Sequence, residues 1–142
     1  MGVLIADPTL RKFTRPTWAE VSLSALCANF RAVQQFVGAG VEVCAVVKAD
    51  AYGHGAERCA LALEAEGARW FGVTTTDEGV PLRDAGLRGR VLLMTGFWHG
   101  EAEEVVRQNL TATVWEPWHI AALNQAAEDL DVPSLSLTNH VT

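Results

Sequence analysis

Val41-Glu42-Val43-Cys44-Ala45-Val46-Val47-Lys48-Ala49-Asp50-Ala51-Tyr52-Gly53-His54-Gly55 is the stretch on which the reading of this chain turns. Its first seven residues are β-branched and nearly all apolar, which predicts a strand buried on both faces, as in a parallel sheet. Lys48 ends the apolar run. Gly53 and Gly55 then supply turn positions before a helix predicted near Ala56–Glu66, which Gly67 closes. Side chains alternate along a strand, so Cys44, Val46 and Lys48 are expected on one face.

The same succession continues downstream. Strands are predicted at Trp70–Thr74, Val91–Met94, Thr111–Trp115 and Leu135–Leu137. Helices are predicted from a cap at Asp77 to Ala85, over Glu101–Asn109, and over Pro117–Glu128, the last opened by its proline. Strand starts lie roughly 20–30 residues apart, which suits repeated βαβ units. The expected class is α/β, with parallel (βα) repeats forming the N-terminal half of a TIM-type (β/α)8 barrel. A small open doubly wound sheet is the competing arrangement.

Upstream, Thr17 to Leu23 alternates and predicts a short strand. Ser24 is the expected cap of a helix whose apolar residues Leu26, Phe30, Val33, Phe36 and Val37 fall at helical spacing, and Gly38 is its expected stop. Residues 1–16 show no period and read as a poorly ordered lead-in, with residues 17–142 as one domain.

Composition narrows the function. A chain of 142 residues with 49% hydrophobic and 20% charged residues is a globular domain with a real core. Eleven basic against 17 acidic residues give a net charge of −6, which argues against nucleic acid and against anionic membrane as partners. No apolar run approaches the roughly 20 residues of a membrane span. Val3–Ala6 is too short for a secretory signal, so the expected compartment is the cytosol. Cys27, Cys44 and Cys59 form no Cys-x-x-Cys pair and read as small buried residues in a reducing compartment. His54, His99, His119 and His140 lack metal-ligand spacing. Trp70, Trp98, Trp115 and Trp118 read as core or helix-packing residues, and Glu101, Glu103 and Glu104 as the solvated face of a helix.

Lys48 is the residue with chemistry. In a parallel barrel the C-terminal ends of the strands form the active-site mouth. A lysine held there is partly stripped of water and becomes a better nucleophile toward a carbonyl. Ala49, Ala51, Gly53 and Gly55 are small enough to let a flat ligand approach the backbone, and Tyr52, the only tyrosine, could bond a phosphate in the same mouth. The plainer reading is a solvent-facing lysine at a strand end followed by an ordinary turn.

Val47 through Gly55 resembles the pyridoxal-phosphate attachment motif of alanine racemases, continuously and over its whole length. Arg15 to Val21 resembles that family's opening and Ala25 to Phe30 the helix after it. Leu63 to Ala68 and Thr76 to Gly79 are similar to its next units, so the resemblance covers about residues 15–137. It implies that Lys48 carries pyridoxal 5′-phosphate covalently and serves as one of two opposed acid/base groups at the substrate Cα. Tyr52 would hydrogen-bond near the cofactor phosphate, and Val46 would lie beneath the cofactor. Gly53 and Gly55 would be turn residues, Asp50 a polar turn residue, and His54 a cofactor neighbour or a side chain capping helix-start amides. The implied substrate is alanine, interconverted between its L and D forms, and the implied assembly is a homodimer.

The family also places essential parts further along its chain, including a second acid/base tyrosine on a later domain. This sequence reads Thr138-Asn139-His140-Val141-Thr142 where the family continues its next strand, which suggests truncation. With Tyr52 alone, the chain is expected to lack racemase activity by itself, and open sheet edges are expected to favour self-association. Two other readings stay open. One is a non-catalytic pyridoxal-phosphate-binding half-barrel or an inert fragment; the other is a different racemase or decarboxylase built on a barrel with the same cofactor.

Overall fold

The computed structural model describes residues 18–132. In chain order these form α1 (Leu23–Val37), β1 (Cys44–Val46), α2 (Lys48–Gly53), α3 (Ala56–Ala65), β2 (Trp70–Val73), α4 (Thr76–Asp84), β3 (Arg90–Leu93), α5 (Ala102–Arg107), β4 (Thr111–Ala112) and α6 (Pro117–Asp129). The strands make one parallel sheet in the order β1-β2-β3-β4, with Val46, Gly72, Leu92 and Thr111 in one row of the register.

That order separates the two expected architectures. A doubly wound sheet reverses its strand order at a switch point and carries helices on both faces. Here the order never reverses, and burial is one-sided. Phe71, Val73, Val91 and Leu93 share the face toward the helices and are fully buried against Ala60, Leu63, Leu82, Val105, Leu110 and Leu123. On the opposite face Cys44 and Val46 are exposed, and Leu92, Met94 and Thr111 are only half-buried. Helices outside, strands in sequential order and an uncovered inner face describe an arc of a (β/α)8 barrel.

The expectation that the Val41–Val47 strand is buried on both faces fails. The strand is shorter, Cys44–Val46, and only Ala45 points toward the helices. Among the described residues it is the edge strand and its inner face meets no other layer, so Val46 remains 39% exposed. Cys44 is exposed for the same reason, while Cys27 and Cys59 are buried as expected. Burial, and after it the Asp50 charge, pushes the Cys59 thiol up.

The predicted strand at Thr17–Leu23 does not form over its described part. Residues 18–22 have no ladder partner, and Leu23 already begins α1. Ser22, not Ser24, is the cap: its Oγ accepts the Ala25 N–H at 3.2 Å. Gly38 stops α1 as expected, at φ +84°. Of the apolar positions read along this helix, Phe30 is buried with its neighbour Cys27, the side of α1 that packs on α3, but Val33 and Phe36 face water. Thr75 rather than Asp77 takes the N-cap position of α4. Trp98 and Trp115 are exposed rather than core residues, since both sit on loops past strand ends. The lead-in over 1–16 and the strand at 135–137 lie outside the described residues.

Side chains tie the units together at the N-terminal ends of the strands. Arg83 donates to the carbonyls of Gln108, Leu87, Gly89 and Asn109, joining α4 to the turns before β3 and β4. Glu64 accepts the N–H groups of Arg88 and Gly89 at 2.9 and 2.6 Å. A rigid guanidinium fork suits four converging carbonyls where a lysine would not.

Candidate active site

The site starts from the end of β1. Val47 is buried in the core and donates its N–H to Gly72 O at 2.9 Å, so pairing with β2 continues one residue beyond the strand. This fixes the backbone immediately before Lys48, which is half-buried at the C-terminal rim of the sheet.

After Lys48 the chain does something sequence reasoning did not anticipate. Ala49, Asp50, Ala51 and Tyr52 all take left-handed backbone angles, with φ between 50° and 55°. Each such non-glycine residue costs roughly 1–2 kcal/mol, so the turn needs support. Ala51 N–H donates to Val47 O at 2.9 Å, and Gly55 N–H donates to Asp50 O at 2.9 Å. Asp50 Oδ1 accepts the Ala56 N–H at 2.7 Å and so caps α3. The His54 ring, expected to cap helix amides, pairs through Nδ1 with the carbonyl of Ala51 at 2.8 Å instead. Gly53 and Gly55 are turn residues at φ +83° and +87°, but the left-handed path begins four residues earlier. The result is that Tyr52 is turned outward, 61% exposed.

Beside Lys48 the inner face is flat because β2 carries Gly72 there. A Cβ on Gly72 would come within 3.1 Å of Met94 Sδ, 3.4 Å of Val46 Cγ2 and 3.5 Å of Cys44 Sγ. Val46, Gly72 and Met94 therefore make a low floor on the inner face, at the strand ends that lead to Lys48. Sequence reasoning placed Val46 here and missed Gly72, whose role depends on cross-strand register.

Glu78 was also missed. It sits in the first turn of α4, where Oε1 accepts the Ala49 N–H at 2.8 Å and Oε2 the Thr74 N–H at 2.7 Å. Burial alone would push this carboxyl up; the N–H groups of Thr74, Ala49 and Thr75, with the Lys48 charge, outweigh it and hold the group below its ordinary value. A depressed carboxyl stabilises the fold above the free glutamate value of 4.5 and loses that contribution as pH falls through its lower folded value. Glu78→Gln is thus expected to unfold more easily than the parent at neutral pH, with the gap closing in acid. Urea titrations at pH 7 and pH 3 check this, and a gap that widens in acid contradicts it.

The next loops continue the rim. Thr95 Oγ1 donates to Thr74 O at 2.6 Å. Glu101, read from sequence as solvated, accepts from Thr76 Oγ1 at 3.0 Å and from the Trp98 N–H at 2.9 Å, whereas Glu103 and Glu104 pair outside with Arg107. Past β3 and β4, His99 stacks on Trp118 at 3.9 Å between ring centres, and the buried His119 is enclosed by Phe97, Trp115 and Trp118. The hollow lined by Phe30, Gln34, Glu42 and Arg69 lies at the opposite, N-terminal end of the strands. Among the described residues no group of three or more His, Cys, Asp or Glu side chains could hold a metal, and no helix is long and apolar enough to cross a membrane.

The family pattern for the alanine racemase N-terminal domain matches residues 21–135. Alanine racemase 1 of Caldanaerobacter subterraneus subsp. tengcongensis is 42% identical over 102 residues, which are 72% of this chain and 26% of that protein. Among solved structures, the alanine racemase of Clostridium difficile 630 superposes with a TM-score of 0.78 at 33% identity, over 84% of this chain and 32% of its own. A Bartonella henselae alanine racemase, solved with covalently bound pyridoxal phosphate, superposes with a TM-score of 0.70 at 30% identity, over 80% of this chain and 33% of its own. This chain spans between a quarter and a third of the length of these relatives. The sequential parallel sheet, the lysine at its rim and a family match across most of the described residues lead to one assignment: the chain belongs to the alanine racemase N-terminal domain family.

Proposed function

We propose that this chain is the lysine-bearing, cofactor-holding part of an alanine racemase and that it takes pyridoxal 5′-phosphate at the rim of its sheet. The carrying observation is the half-buried Lys48 at the C-terminal rim of the sheet, directly past the strand that carries Val46 against Gly72, and four residues before an outward-facing phenol. These groups fit the cofactor chemically. An amine can condense with its aldehyde, a glycine floor admits a flat ring, and a tyrosine hydroxyl can bond its phosphate.

The roles follow from the residues. Val46 and Gly72 support the ring from the strand side. Tyr52 holds the phosphate. Lys48 anchors the cofactor and then moves a proton at the substrate Cα on its own face. When bound, the cofactor supplies the electron sink for the charge left at Cα. Inverting that carbon needs a second proton-transfer group on the opposite face. Tyr52 is the only tyrosine in the chain, so the 142-residue chain alone holds cofactor without racemising alanine. Among the described residues the inner face is uncovered and β1 and β4 are the outer strands, which supports self-association, and homodimeric assembly belongs to the same reading.

Adding pyridoxal 5′-phosphate to the chain is expected to produce a visible absorbance band that Lys48→Ala abolishes. No band at saturating cofactor, or a band that survives Lys48→Ala, overturns this reading. Robust L-to-D alanine conversion by the chain alone would contradict the assigned lack of a second acid/base group.

A further inference from the structure

We propose that Glu78 is a positioning residue for Lys48, a carboxylate clamp that joins the backbone just after the lysine to the end of the neighbouring strand. The inference rests on Lys48 being the cofactor lysine. Its geometry is independent of that. One carboxylate takes two N–H groups from two different βα units: Ala49, directly after Lys48, at 2.8 Å, and Thr74, the first residue past β2, at 2.7 Å.

Neither amide has another acceptor in the local pattern. Ala49 opens the left-handed turn, whose first hydrogen bond is made by Ala51 to Val47. Thr74 lies where the β2 ladder has ended, and Met94 N–H has already taken Val73 O. Glu78 therefore sets how far the Lys48 backbone stands from the glycine floor of β2. Its own place is held by α4, whose Thr76 is tied to Glu101. The Lys48 charge also helps to hold the Glu78 carboxyl below its ordinary value. A charged acceptor serving two amides is a strong anchor, and a small displacement of a reacting group slows a reaction far more than it weakens binding.

The test separates positioning from mere folding. The chain is mixed with pyridoxal 5′-phosphate and quenched with borohydride at set times. In condensation the lysine nitrogen bonds to the aldehyde carbon and the carbonyl oxygen leaves as water; borohydride then supplies the hydride that makes the link permanent. Peptide mass analysis reads Lys48 against Lys12, the only other lysine. Glu78→Gln and Glu78→Ala are expected to lower the limiting trapping rate at Lys48 about tenfold or more. The half-saturating cofactor concentration should move by less than about twofold, and Lys12 should be unchanged. In the same variants, amide hydrogen exchange at Ala49 and Thr74 should quicken while exchange in the Phe71–Val73 strand holds.

Rates and half-saturation that worsen together, in step with loss of folded protein, overturn the positioning role. Unchanged exchange at Ala49 and Thr74 overturns the clamp, whatever the trapping shows. An unsubstituted chain that is never trapped at Lys48 overturns the cofactor reading and the positioning role with it.

Discussion

Phe71→Ala is expected to destabilise the fold by about 3–5 kcal/mol, the usual cost of removing a fully buried aromatic ring. Phe71 lies at the centre of β2 with none of its surface exposed. Its ring also packs against the turn before β3, so closely that a Cβ on Gly89 would meet it at 2.6 Å. The ring lies between the Gly89 backbone and the rest of the buried core, with Val91 its partner on the adjacent strand, so the space it leaves cannot collapse cheaply. Because Phe71 and Gly72 are successive residues of one strand, the loss reaches the floor beside Lys48. Urea or thermal unfolding at neutral pH measures the cost. A loss below about 1 kcal/mol contradicts the assigned core.

Ala51→Val is expected to cost about 2–4 kcal/mol, by adding a β-branched side chain to a left-handed residue and overfilling a buried position. Ala51 has φ +51° and is 8% exposed. Ala51→Gly is the control. It relieves the left-handed strain while adding freedom to the unfolded chain, and these effects nearly cancel. Since Ala51 is flanked by Asp50 and Tyr52 in the same turn, Ala51→Val should also weaken cofactor retention, whereas Ala51→Gly should not. A valine tolerated at 51 without loss of stability would mean that the chain does not follow the left-handed path.

The contrast between what could be read and what could not has a physical basis. Alternating apolar strands and capped helices from Trp70 to Asp129 are local patterns, and the structure has them within a few residues of the expected bounds. The parallel sheet followed from their spacing. Burial did not follow as well, because it depends on partners. Val46 and Cys44 read as core residues by their chemistry and are exposed because none of the described elements covers the inner face. Thr17–Leu23 alternates like a strand, but over its described part it lacks a ladder partner.

The candidate site divides in the same way. Lys48, Tyr52 and Val46 belong to one contiguous motif, legible as a unit. Glu78 reaches that motif, at Ala49, from 29 positions away in sequence, and Gly72 only through the register of β1 with β2. The four left-handed residues carry no glycine signal until Gly53, so propensity points away from the path the backbone takes. Its supports, the Asp50 cap on α3 and the Glu78 bond to Ala49, span separate elements.

On the proposed function the fold, and not the mere presence of a lysine, delivers an amine to pyridoxal 5′-phosphate. Borohydride trapping at substoichiometric cofactor tests it, comparing the native chain with the same chain in urea and locating the link by peptide mass analysis. The expected result is a link concentrated on Lys48 in the folded chain and spread among Lys48, Lys12 and the terminal amine once the chain is unfolded. An equal spread in both conditions, or a native preference for Lys12, would contradict it.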